Sequence, residues 1–525
     1  MAFGVGICSL SSVPTQRTYS GWTARGWGTG TTADAATTTN YSITAAEGTK
    51  NFYGLYQRFL SLSHNANGGT GAPGGQTGTQ YTNSYSITTT KDPIITLSST
   101  KPTRAKYMFA AWAKDSISGA QYQPGASLAI SANTVMYAVW YDLSIDTDKD
   151  GLPDVWEIYG ADINGDGIID VPLNLMGANP NVPDIYVEID WMAPGGGKTY
   201  QPTEASMKAV YEVFKAKGIR LHIDQGPEST DYVTGTKWKN YPGGSGANSF
   251  AYSAANQYPD NNSIWTAIIN NNFTPSRRRI FHHSAFVANL GGYGGWGNVQ
   301  GQHTLLLKQS ELADSFCFMH EIGHNLGLRH GGQDTVNYKP NYISIMNYSL
   351  SYNNKLGLNY SEQALPDLNE ASLTEVNGVD PSGLFTGRGY ESFFVRNGIK
   401  VSIPSISRTA VDWNGNGRST DTGVRMDINN DGGIAVLKGF KDWDKLIFKG
   451  GNVGTVGAGG IEDDIYSSTY FDQFEMPEEV TIEELIDLGF YFPEDVPSYT
   501  LTLNANGGSV TPTSYTNPSL KRLQY

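Results

Sequence analysis

Cysteine is almost missing from this chain. Cys8 and Cys317 are the only two in 525 residues, which excludes a disulfide framework as the source of stability. No apolar run approaches the roughly 20 residues that span a bilayer, so no transmembrane segment is expected. The N-terminal "MAFGVGICSLSSVPTQR" has no basic residue ahead of its apolar part and is not read as a signal peptide. Cationic charge is scarce too: 36 Lys and Arg against 50 Asp and Glu leave a formal charge of -14. Such a surface repels phosphate backbones and excludes nucleic acid as an expected partner. Arg277, Arg278 and Arg279 form a basic run too short to change this and are expected at a solvated strand end.

What is plentiful is Gly, Thr, Ser, Asn and Tyr, the composition of strands, turns and long surface loops. Similar stretches recur. "HNANGGTGAP" at 64–73 returns as "LNANGGSVTP" at 503–512, "KPTRAKYMFAAWA" at 101–113 is echoed by "VPTQRTYSGWTA" at 13–24, and "TVMYAVWYD" at 134–142 by "TKNFYGLYQ" at 49–57. They alternate apolar and polar residues around aromatic positions, and Asn-Gly-Gly supplies a tight turn. These stretches resemble the bacterial surface repeat of internalin-type adhesins. The resemblance implies small β-grasp-like modules: a partial copy at 1–57, a nearly whole one at 58–143, and a truncated one at 498–525. A cell-wall or host-surface ligand is the partner such repeats imply, and the native product is expected to be longer or its gene cut short. A generic Gly-rich β-sandwich is the alternative.

The aspartates cluster. "DTDKDGLPDVWE" (146–157), within an expected calcium-loop segment at 144–182, fits the twelve-residue calcium loop. Asp146, Asp148 and Asp150 take positions 1, 3 and 5, with Gly151 for the sharp turn. Leu152 offers a carbonyl, Asp154 takes position 9, and Glu157 closes the loop. "DINGDGIID" follows with Asp162, Asn164, Asp166 and Asp170 in the same register but no closing glutamate, so a second, weaker calcium site or a plain turn are both open. "DWNGNG" (412–417) and "DINNDGG" (427–433) repeat the early pattern, and ordinary turns explain them equally well. The calcium expected here is structural and extracellular.

From Val182 the texture changes. "PDIYVEIDWM" reads as a strand, Met207, Val210, Tyr211 and Phe214 mark one face of a helix capped by Thr203 and ended by Gly218, and "IRLHIDQG" reads as the next strand. A right-handed crossover on a sheet is expected. Arg277 to Asn289 looks like another strand, ahead of "GGYGGWGN", a candidate exposed edge strand for a peptide to pair with. His282 and His283 adjoin in that strand, point to opposite faces, and are expected to be structural.

Three of the eight histidines then fall in "HEIGHNLGLRH", residues 320–330. On a helix over Ser315–Leu326, His320 and His324 lie one turn apart and point the same way. Glu321 can reach a metal-bound water, Gly327 turns the chain back, and His330 supplies a third nitrogen. Three neutral imidazoles leave a fourth zinc position open, as catalysis requires. Cys317, on the same helix, is read as a buried apolar residue. Thr481 to Glu484 reads as a capping box in a linker at 471–497.

The motif resembles the signature of the metzincin clan of zinc endopeptidases, over about residues 183–360 of a domain placed at 183–470. "SIMNYSLSY" (344–352) supplies the methionine turn of the clan. The resemblance implies Met346 as a floor beneath the imidazoles and Tyr348 near the metal, stabilising the oxyanion, although Asn347 replaces the histidine usual in astacin- and serralysin-like members. Pappalysin-like and gametolysin-like secreted bacterial enzymes are the nearest named types. The expected fold is α+β, a metzincin-like domain with a mixed twisted sheet, active-site helix and methionine turn, flanked by small β-grasp-like modules. The expected function is a secreted or cell-surface zinc endopeptidase acting on protein or peptide substrates, with a zinc-activated water and Glu321 as general base. The alternative is an adhesin in which the repeats carry function and the metalloprotease domain is a scaffold.

Overall fold

Alternation of apolar and polar side chains builds the first of two compact units, Met1–Ser144 together with Asn164–Ile168. In this computed structural model the described residues are 6–10, 12–44, 47–258, 262–350, 357–385, 391–455 and 474–487, with the backbone alone at 262–263, 499–502 and 514–517. The first unit's main sheet contains β1 (Thr23–Gly28), β2 (Tyr53–Asn65), β3 (Gln76–Asn83), β4 (Tyr107–Lys114), β5 (Gln121–Tyr122) and β6 (Thr134–Asp142). Its order is β1-β2-β6-β4-β5, with β3 also on β2. β6 lies parallel to β2 and antiparallel to β4. Leu62, Trp112, Ile130, Met136 and Ala138 fill the core.

The Asn-Gly-Gly turn is present: Asn67 and Gly68 have positive φ, and a Cβ on Gly69 would lie 2.6 Å from the Trp140 ring. The Trp140 indole donates to Ala66 O at 3.0 Å, so this aromatic side chain holds the turn. One expected boundary needs correction. The division between residues 57 and 58 falls inside β2, and β1 pairs with that same strand, so the sheet is continuous across it. The recurrence at 503–512 lies outside the described residues.

The second unit, Ile145–Ile163 with Ile169–Tyr525, carries the candidate site. It begins with α1 (Asp154–Tyr159), then β7 (Asp184–Met192), α2 (Glu204–Ala216), β8 (Arg220–Asp224), β9 (Ser249–Phe250), α3 (Asn262–Asn272), β10 (Phe281–Val287), β11 (Gly295–Gly297), β12 (His303–Leu307) and α4 (Glu311–Asn325). The sheet order is β8-β7-β10-β12-β11, with β9 beside β7. All neighbours are parallel except β11, which is antiparallel to β12. β7, α2 and β8 therefore form the expected strand–helix–strand crossover. Thr203 caps α2, accepting from Ser206 N at 3.1 Å, and Met207, Val210, Tyr211 and Phe214 are its buried face.

α4 starts about a turn earlier than the periodicity predicts because Ser310 caps it. Two buried faces meet where α2 and α4 pack: Ser315 Oγ donates to Ser206 O at 3.0 Å. A second correction concerns Arg277, Arg278 and Arg279, which are buried and lie before β10. Arg277 donates to Asp224 (2.5 Å) and Glu188 (3.1 Å), neighbouring acids from β8 and β7. A third correction is that residues 474–487, expected in a linker, pack into this unit, where α5 (Ile482–Asp487) sets Leu485 into an apolar core with Tyr348 and Ile343. The capping box is formed: Thr481 N donates to Glu484 Oε2 at 2.7 Å and Glu484 N to Thr481 Oγ1 at 3.1 Å.

Candidate metal centre and active site

α4 brings His320 and His324 to one face, and Gly327, with φ +89, turns the chain so that His330 returns to them. One ring nitrogen from each lies within 4.8 Å of the other two. The outward nitrogens are fixed by carbonyls: His320 Nδ1 bonds Ile345 O and His324 Nδ1 bonds Leu328 O, both at 2.9 Å. That leaves three buried Nε2 atoms with no partner. Burial pushes His320 down to about 4 and holds His324 and His330 well below the ordinary imidazole range, so all three are neutral, the ligating form. A buried polar atom without a partner is costly; three of them converging fit a zinc ion.

The floor follows from the methionine turn. Met346 is fully buried, and a Cβ on Gly323 of α4 would lie 2.5 Å from its sulfur. Asn347 turns its amide to the backbone, donating to Lys339 O and Tyr342 O at 2.8 Å, and pins the turn. Asp442 braces the same turn, accepting from Ser344 Oγ (2.6 Å) and Tyr342 OH (2.9 Å).

Glu321 points to β11. A Cβ on Gly295 would meet Glu321 Oε1 at 2.3 Å, which is why this strand reads Gly-Trp-Gly. Burial, then the charge of Glu479, push the Glu321 carboxyl well above its ordinary range. The Tyr348 ring lies 4.2 Å from that of His330, and its hydroxyl donates to Glu479 Oε2 at 2.5 Å. The other Glu479 oxygen is unpartnered, 3.6 Å from His324 Nε2 and 3.9 Å from His330 Nε2. Glu479 therefore belongs to the site and was missed from sequence, where "MPEEV" carries no spacing that ties it to the histidines. The cleft is lined further by Cys317, buried and donating to Gly294 O at 3.0 Å. β11 is an edge strand, as expected, but it is buried and not exposed.

His283 bonds Asp190 at 3.0 Å and His282 is buried; neither joins the triad.

In the first aspartate loop, Asp146, Asp148 and Asp150 bring carboxylate oxygens within 4.8 Å of one another, and Asp150, Glu157 and Asp184 form a second such group. Glu157 is 1% exposed, yet neither of its oxygens has a partner. Burial pushes Asp150 up to about 8 and Glu157 to about 9, with neighbouring carboxylates adding to the rise. Asp154 departs from expectation: it turns to Thr147, accepting from its N (2.8 Å) and Oγ1 (2.7 Å). Asp184, at the start of β7, stands in that group instead and was not anticipated. Asp166 and Asp170 accept from the Ile168 and Ile163 amides (2.6 and 2.7 Å), and with Asp162 and Asn164 they join no such group among the described residues. Asp412 and Asp427 likewise hold turns, accepting from Gly415 N and Asn430 N.

Residues 202–331 match the family model described as metallo-peptidase family M12B, reprolysin-like. The match covers about a quarter of the chain, from the cap of α2 to just past His330, and supports a zinc-dependent metallopeptidase domain. No curated protein matches the chain.

Proposed function

We propose that this chain is a zinc endopeptidase of the EC 3.4.24 type, secreted or held at a cell surface, that hydrolyses protein or peptide substrates. The observation that carries the reading is the convergence of three buried, neutral, unpartnered imidazole nitrogens beside a buried glutamate. His320, His324 and His330 would hold a zinc ion, which would supply Lewis acidity at the scissile carbonyl and acidify water. Glu321 takes the proton of the attacking water and returns it to the leaving amine. The Tyr348 hydroxyl, once free of Glu479, donates to the developing oxyanion. Met346 keeps the ligand rings in place from below.

Calcium is proposed for the first loop, held by Asp146, Asp148, Asp150 and Glu157 with Asp184 added, because five acids this close need a cation. Its role is structural, and a calcium-dependent fold supports an extracellular setting. The strand-rich first unit is read as internalin-type surface repeats whose partner is a cell-wall or host-surface ligand. The adhesin-with-scaffold reading is disfavoured because His320, His324 and His330 converge beside Glu321.

Cleavage-site profiling against a peptide library tests the reading, with Glu321→Ala beside the unaltered chain and zinc measured in both. Cleavage lost with zinc retained is the expected result. Undiminished cleavage by the variant contradicts the role of Glu321.

A further inference from the structure

Residues 475–482 lie along the outer side of the β11 edge. Val299 N donates to Glu475 O at 3.0 Å in an antiparallel bridge, and Ile482 N donates to Gly292 O at 2.9 Å. The two bonds bracket equal lengths of both strands, so the segment runs antiparallel, as an added strand or an extended peptide does. It is anchored at both ends. The Arg329 guanidinium grips the Glu475 carboxylate in a two-point contact, Nε to Oε1 at 2.6 Å. Beyond the cleft, the Thr481–Glu484 box starts α5 and Leu485 enters the apolar core.

Between these anchors the Glu479 side chain, 4% exposed, is delivered to the histidines. Its free oxygen stands 3.6 Å from His324 Nε2 and 3.9 Å from His330 Nε2. These separations are too long for hydrogen bonds. They are close to what a shared ion requires: two donors each about 2.0–2.1 Å from one tetrahedral zinc stand roughly 3.3 Å apart. A buried carboxylate oxygen with no donor is costly, and a cation at that point relieves it.

We propose that Glu479 is the fourth protein ligand of the metal held by His320, His324 and His330, carried there by a segment of the chain that fills the cleft in place of a peptide substrate. This rests on the zinc reading above. The chain then closes the coordination position that a catalytic site keeps open, and the segment has to leave before a substrate can pair with β11. The occupant that opens the site is a peptide able to compete for the same edge.

Cobalt(II) in place of zinc reports the coordination directly through its visible absorption. The full chain, Glu479→Ala, Glu479→Gln and Glu475→Ala are each loaded with cobalt and titrated with acetohydroxamate, a small metal-binding probe. Both Glu479 variants are expected to show an altered resting spectrum and at least tenfold tighter hydroxamate binding, with faster peptide cleavage. Glu475→Ala leaves Glu479 intact and loosens only the anchor, so a several-fold tightening is expected. Glu479→Gln keeps the size of the side chain and covers the case in which Glu479→Ala folds poorly. Unchanged spectra and hydroxamate affinity in the Glu479 variants overturn this inference alone. An unchanged Glu475→Ala beside altered Glu479 variants overturns delivery by the segment. Failure of the full chain to bind cobalt overturns the zinc reading, and this inference with it.

Discussion

His320 and His324 each spend Nδ1 on a backbone carbonyl, so only Nε2 is left to face inward. Orientation of this kind costs nothing at the moment of metal binding. The same economy of space governs Glu321, whose carboxylate occupies the volume a side chain on residue 295 would need. Gly295→Ala is therefore expected to displace Glu321 and slow peptide cleavage by about a hundredfold while zinc content is unchanged; full activity in that variant would show that Glu321 is not held by the strand. Tyr348→Phe removes one donor from the proposed oxyanion position and is expected to cost about a hundredfold in kcat with little effect on KM. An effect on KM alone would assign the hydroxyl to substrate binding instead.

At the scale of elements, what was legible in the sequence was local. The His320/His324 pair, the Thr203 cap and the Thr481–Glu484 box are set by contacts within one turn, so spacing reveals them. Glu479, Asp184 and Asp442 act across distant segments, and nothing near them in sequence marks their partners. Arg277 to Arg279 were misplaced for the same reason, since the acids that hold Arg277 inside come from β7 and β8. Arg277→Ala strands Glu188 and Asp224 without their cation and is expected to destabilise the fold by about 3–5 kcal/mol, measured as a lowered denaturant midpoint.

A pH prediction belongs to the first aspartate loop. Asp150 and Glu157 are pushed up to about 8 and about 9, well above the roughly pH 4 of unfolded carboxyls. Between those limits the native state binds more protons than the unfolded state, so stability falls as pH rises. The proposed calcium would take the place of the protons. Denaturation at pH 5 and pH 8 is expected to show this loss in chelator, with zinc held constant, and to show it suppressed in millimolar calcium. An equal slope in both conditions would remove the cation from the loop.

At the scale of the whole molecule, the α+β architecture was readable because two texture changes mark it: aromatic alternation with an Asn-Gly-Gly turn in the first unit, and strand–helix alternation ahead of the histidine motif in the second. No helix among the described residues is long and apolar enough to cross a membrane. What composition did not reveal was that an acidic stretch past residue 470 returns to the cleft. Long-range return of this kind is fixed by packing of Leu485 and by the Arg329–Glu475 pair, not by local pattern.

The central claim is hydrolysis at a zinc site with Glu321 as base, and its most direct test removes Glu321 from a chain whose cleft is open. Zinc content and peptide-library cleavage are measured for Glu479→Ala and for Glu479→Ala combined with Glu321→Ala. The account predicts one zinc in each protein and cleavage by the first alone. Equal cleavage by both, or no zinc in either, would contradict it.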